Sequence, residues 1–124
     1  MAPATSGIVA IVDNDELMRG ALHGLLREEG LPAQAFASAE EFLRSGAQHR
    51  SSCLILDVRM PGMSGFDLQA RLNAAQIRIP VIFITAHGDE RLRKQALRAG
   101  AADFLVKPFD DEVLLRSVRA ALEL

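Results

Sequence analysis

The sequence predicts an α/β fold in which a parallel sheet of five strands alternates with five helices, and three observations predict it. Short apolar runs recur five times in 124 residues, at 8–12, 32–36, 53–56, 81–85 and 103–106. Several of them hold apolar side chains at successive positions, the pattern of strands covered on both faces. Amphipathic segments with helical spacing separate them, and neighbouring parallel strands need right-handed crossovers of this kind. The order is therefore βαβαβαβαβα, with helices on both faces of the sheet.

Each element has its own signals. After the first run, Met18, Ala21, Leu22, Leu25 and Leu26 make the apolar stripe of a helix, and Gly30 follows where a helix end favours positive φ. Asp15 is placed to cap that helix, with Glu16 in its first turn. Ser38 and Glu41 have the spacing of a capping box for a short second helix. The third helix is expected over residues 64–73, after a turn marked by Pro61, Gly62 and Gly65. The fourth is expected over residues 89–100, with Leu92, Ala96 and Ala99 on one side. The fifth is opened by Asp110 and carries Leu114, Val118, Ala121 and Leu122.

This length suits one domain able to bury a core without disulfides, and residues 1–124 read as a single domain whose first six residues form a loose tail. The composition is 49% hydrophobic and 24% charged with a net charge of -2, which argues against a general affinity for nucleic acid or anionic membranes. No stretch approaches the roughly 20 apolar residues that span a bilayer, and the start lacks the pattern of a signal peptide. The single cysteine, Cys53, lies in the apolar run "CLILD" and reads as a small buried hydrophobe. A reducing cytoplasm is the expected location.

In open parallel sheets, ligands bind beyond the carboxyl ends of the strands. Those ends carry Asp13 and Asn14, Asp57, Thr85 and Lys107. Two carboxylates, an amide, a hydroxyl and an ammonium thus converge on one edge. The set suits a phosphoryl group with a divalent cation: Asp57 as nucleophile, Asp13, Asn14 and Asp57 as hard oxygen donors for Mg2+, Thr85 as a hydrogen-bond donor and Lys107 as a counter-charge. Lys107 is one of only two lysines in an arginine-rich chain, so its compact ammonium at a strand end looks selected for geometry.

With "LILDVRMPGMSG", "VIFITAHGD", "DFLVKPF" and the acidic end of "IVDNDE" in this order, the chain resembles the receiver domain of bacterial two-component response regulators, particularly the FixJ and NarL type. The resemblance implies a flavodoxin-like fold with strand order 2-1-3-4-5. It implies that Asp57 accepts a phosphoryl group from a histidine kinase or phosphotransfer protein, with Mg2+ as cofactor and Arg59 offering its backbone carbonyl to the metal. Thr85 would be a switch residue together with Phe104, the aromatic that swings inward on activation. Ala86 would leave room beside the acyl phosphate, His87 would flank the site, and Pro108 would follow a cis peptide. By the same resemblance, the face formed by the fourth helix, fifth strand and fifth helix would change partners, a homodimer among them, and control an effector not in this chain, a transcriptional one by family habit.

One residue departs from the family pattern. Asn14 stands where a second acid usually ligates the metal, which keeps a carbonyl oxygen and removes a charge. Weaker metal binding with continued phosphorylation of Asp57 is the expectation; a phosphorylation-independent docking module is the alternative. A haloacid-dehalogenase-like phosphatase is more remote, because Leu17 stands where its motif carries Thr or Val and Asp57 would go unused. The module is expected to catalyse only its own phosphotransfer and dephosphorylation. The basic residues Arg91, Arg93, Lys94 and Arg98 lack aromatic interleaving, so direct nucleic-acid binding is not expected.

Overall fold

The structure is a computed structural model that describes residues 7–123; the expected tail at residues 1–6 lies outside the described residues. The strands are β1 (Ile8–Val12), β2 (Ala33–Phe36), β3 (Ser51–Asp57), β4 (Val81–Thr85) and β5 (Asp103–Val106). The helices are α1 (Glu16–Glu28), α2 (Ala39–Ser45), α3 (Gly65–Ala74), α4 (Glu90–Arg98) and α5 (Asp111–Leu122), with a 3-10 turn at Ala47–His49. All strand pairs are parallel and the sheet order is β2-β1-β3-β4-β5.

Alternation along the strands explains why their apolar runs are continuous. Ala10, Val12, Leu54, Leu56 and Phe83 face one layer, built with Phe42 of α2, Leu68 and Leu72 of α3 and Ala96 of α4. Their chain neighbours Val9, Ile11, Ile55, Ile82 and Ile84 face the other, built with Leu22 and Leu26 of α1 and Leu114 and Val118 of α5. Polar side chains on the three central strands would therefore be buried on either face. Cys53 is buried in the α1/α5 layer as expected, and that burial pushes its thiol up to about 12.

Local signals place the helix starts. Asp15 caps α1 by accepting the Leu17 N–H at 3.0 Å, and Asp89 caps α4 by accepting that of Arg91 at 2.7 Å. Ser64 and Asp67 form a reciprocal capping box on α3. At α2 the expected box is altered: Ser38 accepts the Glu41 N–H, but the Glu41 carboxylate reaches the Ala37 N–H instead of that of Ser38. Asp110 opens α5 without a side-chain cap bond. Gly30 does adopt positive φ, at 74°, beyond the end of α1. The expected extents of β2 and α3 hold to within one residue, and those of β3 and α4 differ more. β3 begins at Ser51, where the 3-10 turn delivers the chain, and α4 ends at Arg98, leaving Ala99 exposed outside the apolar face. Among the described residues, no helix is long and apolar enough to cross a membrane.

Candidate functional site at the carboxyl edge of the sheet

The sheet register brings the predicted residues together. β1, β3 and β5 are the strands whose ends matter most, and β1 and β3 are direct neighbours, with Val12 opposite Leu56. The next residue on each, Asp13 and Asp57, therefore emerges at the same edge. Both are buried, Asp13 completely. β4 lies on the other side of β3, with Asp57 opposite Ile84, so buried Thr85 projects one step further along the same edge. Lys107 follows the last residue of β5 and is tied back to β4 by its N–H, which donates to the Thr85 carbonyl at 2.7 Å.

Lys107 joins the two acids. Its Nζ lies 3.0 Å from Asp13 Oδ2 and 3.3 Å from Asp57 Oδ2. The remaining oxygens are held by backbone: Asp13 Oδ1 accepts the Asp15 N–H at 2.9 Å, and Asp57 Oδ1 accepts the Arg59 N–H at 3.2 Å. Burial, and then the Asp13 charge, push the Asp57 carboxyl up to about 6, against the opposing effect of Lys107. Burial would lower the Lys107 ammonium, but the Asp13 hydrogen bond and the two carboxylate charges outweigh it and hold it above the ordinary lysine value. Asp57 is thus an ionisable, partly restrained carboxylate with a cation beside it.

The donor set fits Mg2+. Two carboxylates face one ammonium, leaving negative charge uncompensated, and hard oxygens are what this cation prefers. Asn14 is exposed next to Asp13 and carries a neutral amide oxygen where an acid would carry a charge. Among the described residues, no group of three or more His, Cys, Asp or Glu side chains is arranged to hold a metal.

The remaining predicted residues frame the site. The Thr85 hydroxyl accepts the His87 N–H at 3.1 Å, leaving its own proton available to donate. Ala86, His87 and Arg59 are exposed. The Lys107–Pro108 peptide is cis. Phe104 is buried in the core layer of α2, α3 and α4, opposite Phe83 in the register.

Two contributors escaped sequence reasoning. Arg19 on α1 donates to the Asp13 carbonyl at 2.8 Å and so holds the turn that carries Asp13 and Asn14. Gly65 approaches Asp57 so closely that a Cβ would stand 2.3 Å from the Asp57 carbonyl oxygen and 3.1 Å from the Phe83 ring. The glycine in "PGMSG" signalled a turn, but nothing in the sequence named the backbone it must pass.

The family described as "Response regulator receiver domain" matches residues 9–119. Nodulation protein W of Bradyrhizobium diazoefficiens is 49% identical over 120 residues, covering 97% of this chain and 53% of that protein. Response regulator protein TodT of Pseudomonas putida is 45% identical over 119 residues, covering 96% of this chain and 52% of its own length. The chain spans about half the length of these relatives. The crystal structure of FixJ-N superposes with a TM-score of 0.86 at 40% identity, covering 94% of both chains.

Proposed function

We propose, from the premise that this chain belongs to the response regulator receiver domain family, that Asp57 is its phosphoacceptor and that a histidine kinase or phosphotransfer protein is the donor. The observation that carries this reading is the buried Asp57 carboxylate at a strand end, beside the Lys107 ammonium and the Asp13 carboxylate.

An ionised Asp57 oxygen attacks the phosphorus of a phosphohistidine. The new O–P bond forms as the P–N bond breaks, and the departing imidazole keeps the bonding pair and takes up a proton from solvent. Lys107 offsets charge on the phosphoryl oxygens, and the Thr85 hydroxyl donates to one of them. Reversal of the signal is hydrolysis: water attacks phosphorus, the Asp57 O–P bond breaks, and inorganic phosphate leaves with the carboxylate restored. The module performs these steps on itself and needs no external substrate beyond the phosphodonor.

Receiver domains typically use Mg2+ for phosphorylation. Here Asp13, Asn14, Asp57 and the Arg59 backbone carbonyl would hold it. Bound there, it supplies charge neutralisation for the phosphoryl group. Asn14 in place of an acid weakens that binding without abolishing it.

The output we propose is a shift between two surface states of α4, β5 and α5. Drawing Thr85 toward the phosphoryl group strains the His87 contact and alters the β4–α4 loop, and Phe104 responds within the core layer. A second copy of the chain and an effector controlling transcription are the partners proposed for that face, in the cytoplasm. The whole chain, residues 1–124, acts as one receiver unit.

The test is chemical trapping. After incubation with a phosphodonor and Mg2+, borohydride reduces an aspartyl phosphate to homoserine, and peptide mass mapping locates it. Homoserine at position 57 is expected; its absence from position 57, with label elsewhere or nowhere, contradicts the reading.

A further inference from the structure

The loop joining β3 to α3 is gripped from outside by α2. Two successive glutamates open that helix and have different roles. Glu41 closes its own helix, accepting the Ala37 N–H at 2.9 Å while its N–H donates to Ser38 Oγ at 3.0 Å. Glu40 turns away from its helix, and its Oε2 accepts the Met63 N–H at 3.0 Å, 23 positions along the chain.

The loop is shaped to receive that carboxylate. Gly62 has φ of +75°, and a Cβ added to it would stand 2.7 Å from Glu40 Oε2, so the backbone passes closely over the glutamate at two consecutive residues. The Met63 N–H is the chief cause that holds the Glu40 carboxyl below the usual glutamate range. Elsewhere the loop is fixed by its own bonds. At its start the Arg59 N–H donates to Asp57 Oδ1 at 3.2 Å. At its end the Gly65 N–H donates to the Val58 carbonyl at 2.9 Å, and the Ser64–Asp67 box starts α3. Between these anchors, Glu40 holds the crest.

We infer that Glu40 is a positioning residue for the acceptor site: by holding the Met63 N–H it fixes the loop whose Arg59 backbone orients Asp57 and offers a carbonyl to Mg2+. The inference rests on the reading of Asp57 as a Mg2+-dependent phosphoacceptor. Glu40 touches neither the phosphoryl group nor the metal. It acts as outer partners of metal ligands do, through the orientation of the groups that make direct contact.

The experiment measures Mg2+ affinity in the unphosphorylated protein by amide NMR titration, and Met63 N–H exchange in parallel, for wild type, Glu40→Ala and Glu40→Gln. Alanine suits the first turn of a helix, and glutamine keeps an oxygen acceptor for the Met63 N–H. Glu40→Ala is expected to speed Met63 exchange and raise the Mg2+ Kd by about tenfold. Glu40→Gln is expected to restore both most of the way. Faster Met63 exchange in Glu40→Ala with wild-type Mg2+ affinity overturns the inference, because the contact is then only structural. A wild type that binds no Mg2+ overturns the acceptor-site reading and the inference with it, and is distinguished by the wild-type titration itself.

Discussion

The Lys107 ammonium meets the Asp13 carboxylate at 3.0 Å across 94 positions of sequence, and that carboxylate is fully buried. The same ammonium reaches Asp57 at 3.3 Å. One cation therefore joins two acids at the ends of adjacent strands.

Removing it has a pH signature. Lys107→Ala leaves two buried carboxylates without their partner, a loss on the order of 3 kcal/mol when both are ionised. At low pH Asp57 takes up a proton and the loss shrinks. Urea denaturation of the metal-free variant at pH 5 and pH 8 should show the larger deficit at pH 8; equal deficits would mean that Lys107 does not hold the pair.

The Asp57 carboxyl alone makes a second pH prediction. Its folded value, about 6, lies above its unfolded value of 3.8, because burial and Asp13 disfavour the ion. Between those values the folded state binds more protons than the unfolded one, so this group's contribution to stability falls as pH rises through that window and stays low above it. Metal-free wild type should lose stability relative to Asp57→Asn over that interval. At pH 7, Mg2+ at five times its Kd should return about 1 kcal/mol to wild type. Parallel pH profiles for the two proteins would contradict the assignment.

Two glycine substitutions should move stability in opposite directions. Gly65→Ala drives a methyl against the Asp57 carbonyl oxygen at 2.3 Å, where the neighbour is backbone and cannot turn aside. A loss of about 1–3 kcal/mol with slowed phosphorylation is expected. Gly20 lies inside α1 with open space where a Cβ would go, so Gly20→Ala should stabilise by up to about 1 kcal/mol. Thermal melts of both variants, with a phosphorylation time course for Gly65→Ala, check the pair.

Replacing Phe104 should separate acceptance of phosphate from the proposed response to it. Phe104→Ala opens a cavity in the layer shared with Phe83 and should cost about 3 kcal/mol, while Asp57 and Lys107 keep their places. Phosphorylation measured by mass should persist, and the phosphorylation-dependent change in sedimentation should weaken. An undiminished change would remove Phe104 from the switch.

What the sequence disclosed follows from how locally each feature is encoded. The ends of four of the five apolar runs pointed to Asp13, Asp57, Thr85 and Lys107, because a parallel sheet delivers all its carboxyl ends to one edge. The cap at Asp15 was legible because the bonded partner lies two residues away. The start of β3 was hidden, since Ser51 and Ser52 interrupt the apolar pattern that backbone pairing continues, with Ser51 opposite Ile8. Contacts of Arg19 with the Asp13 carbonyl, Glu40 with Met63 and Gly65 with Asp57 were equally hidden. Each joins a side chain or a missing side chain to backbone, and no periodicity records which backbone that is.

The most direct test is intact mass after incubation with acetyl phosphate across a Mg2+ titration, for wild type, Asp57→Asn and Asn14→Asp. Wild type should gain a single phosphoryl group in a metal-dependent manner, Asp57→Asn should gain none, and Asn14→Asp should reach the same occupancy at lower Mg2+. A wild type that gains nothing at any Mg2+ concentration, from acetyl phosphate or from a competent kinase, would contradict phosphorylation at Asp57.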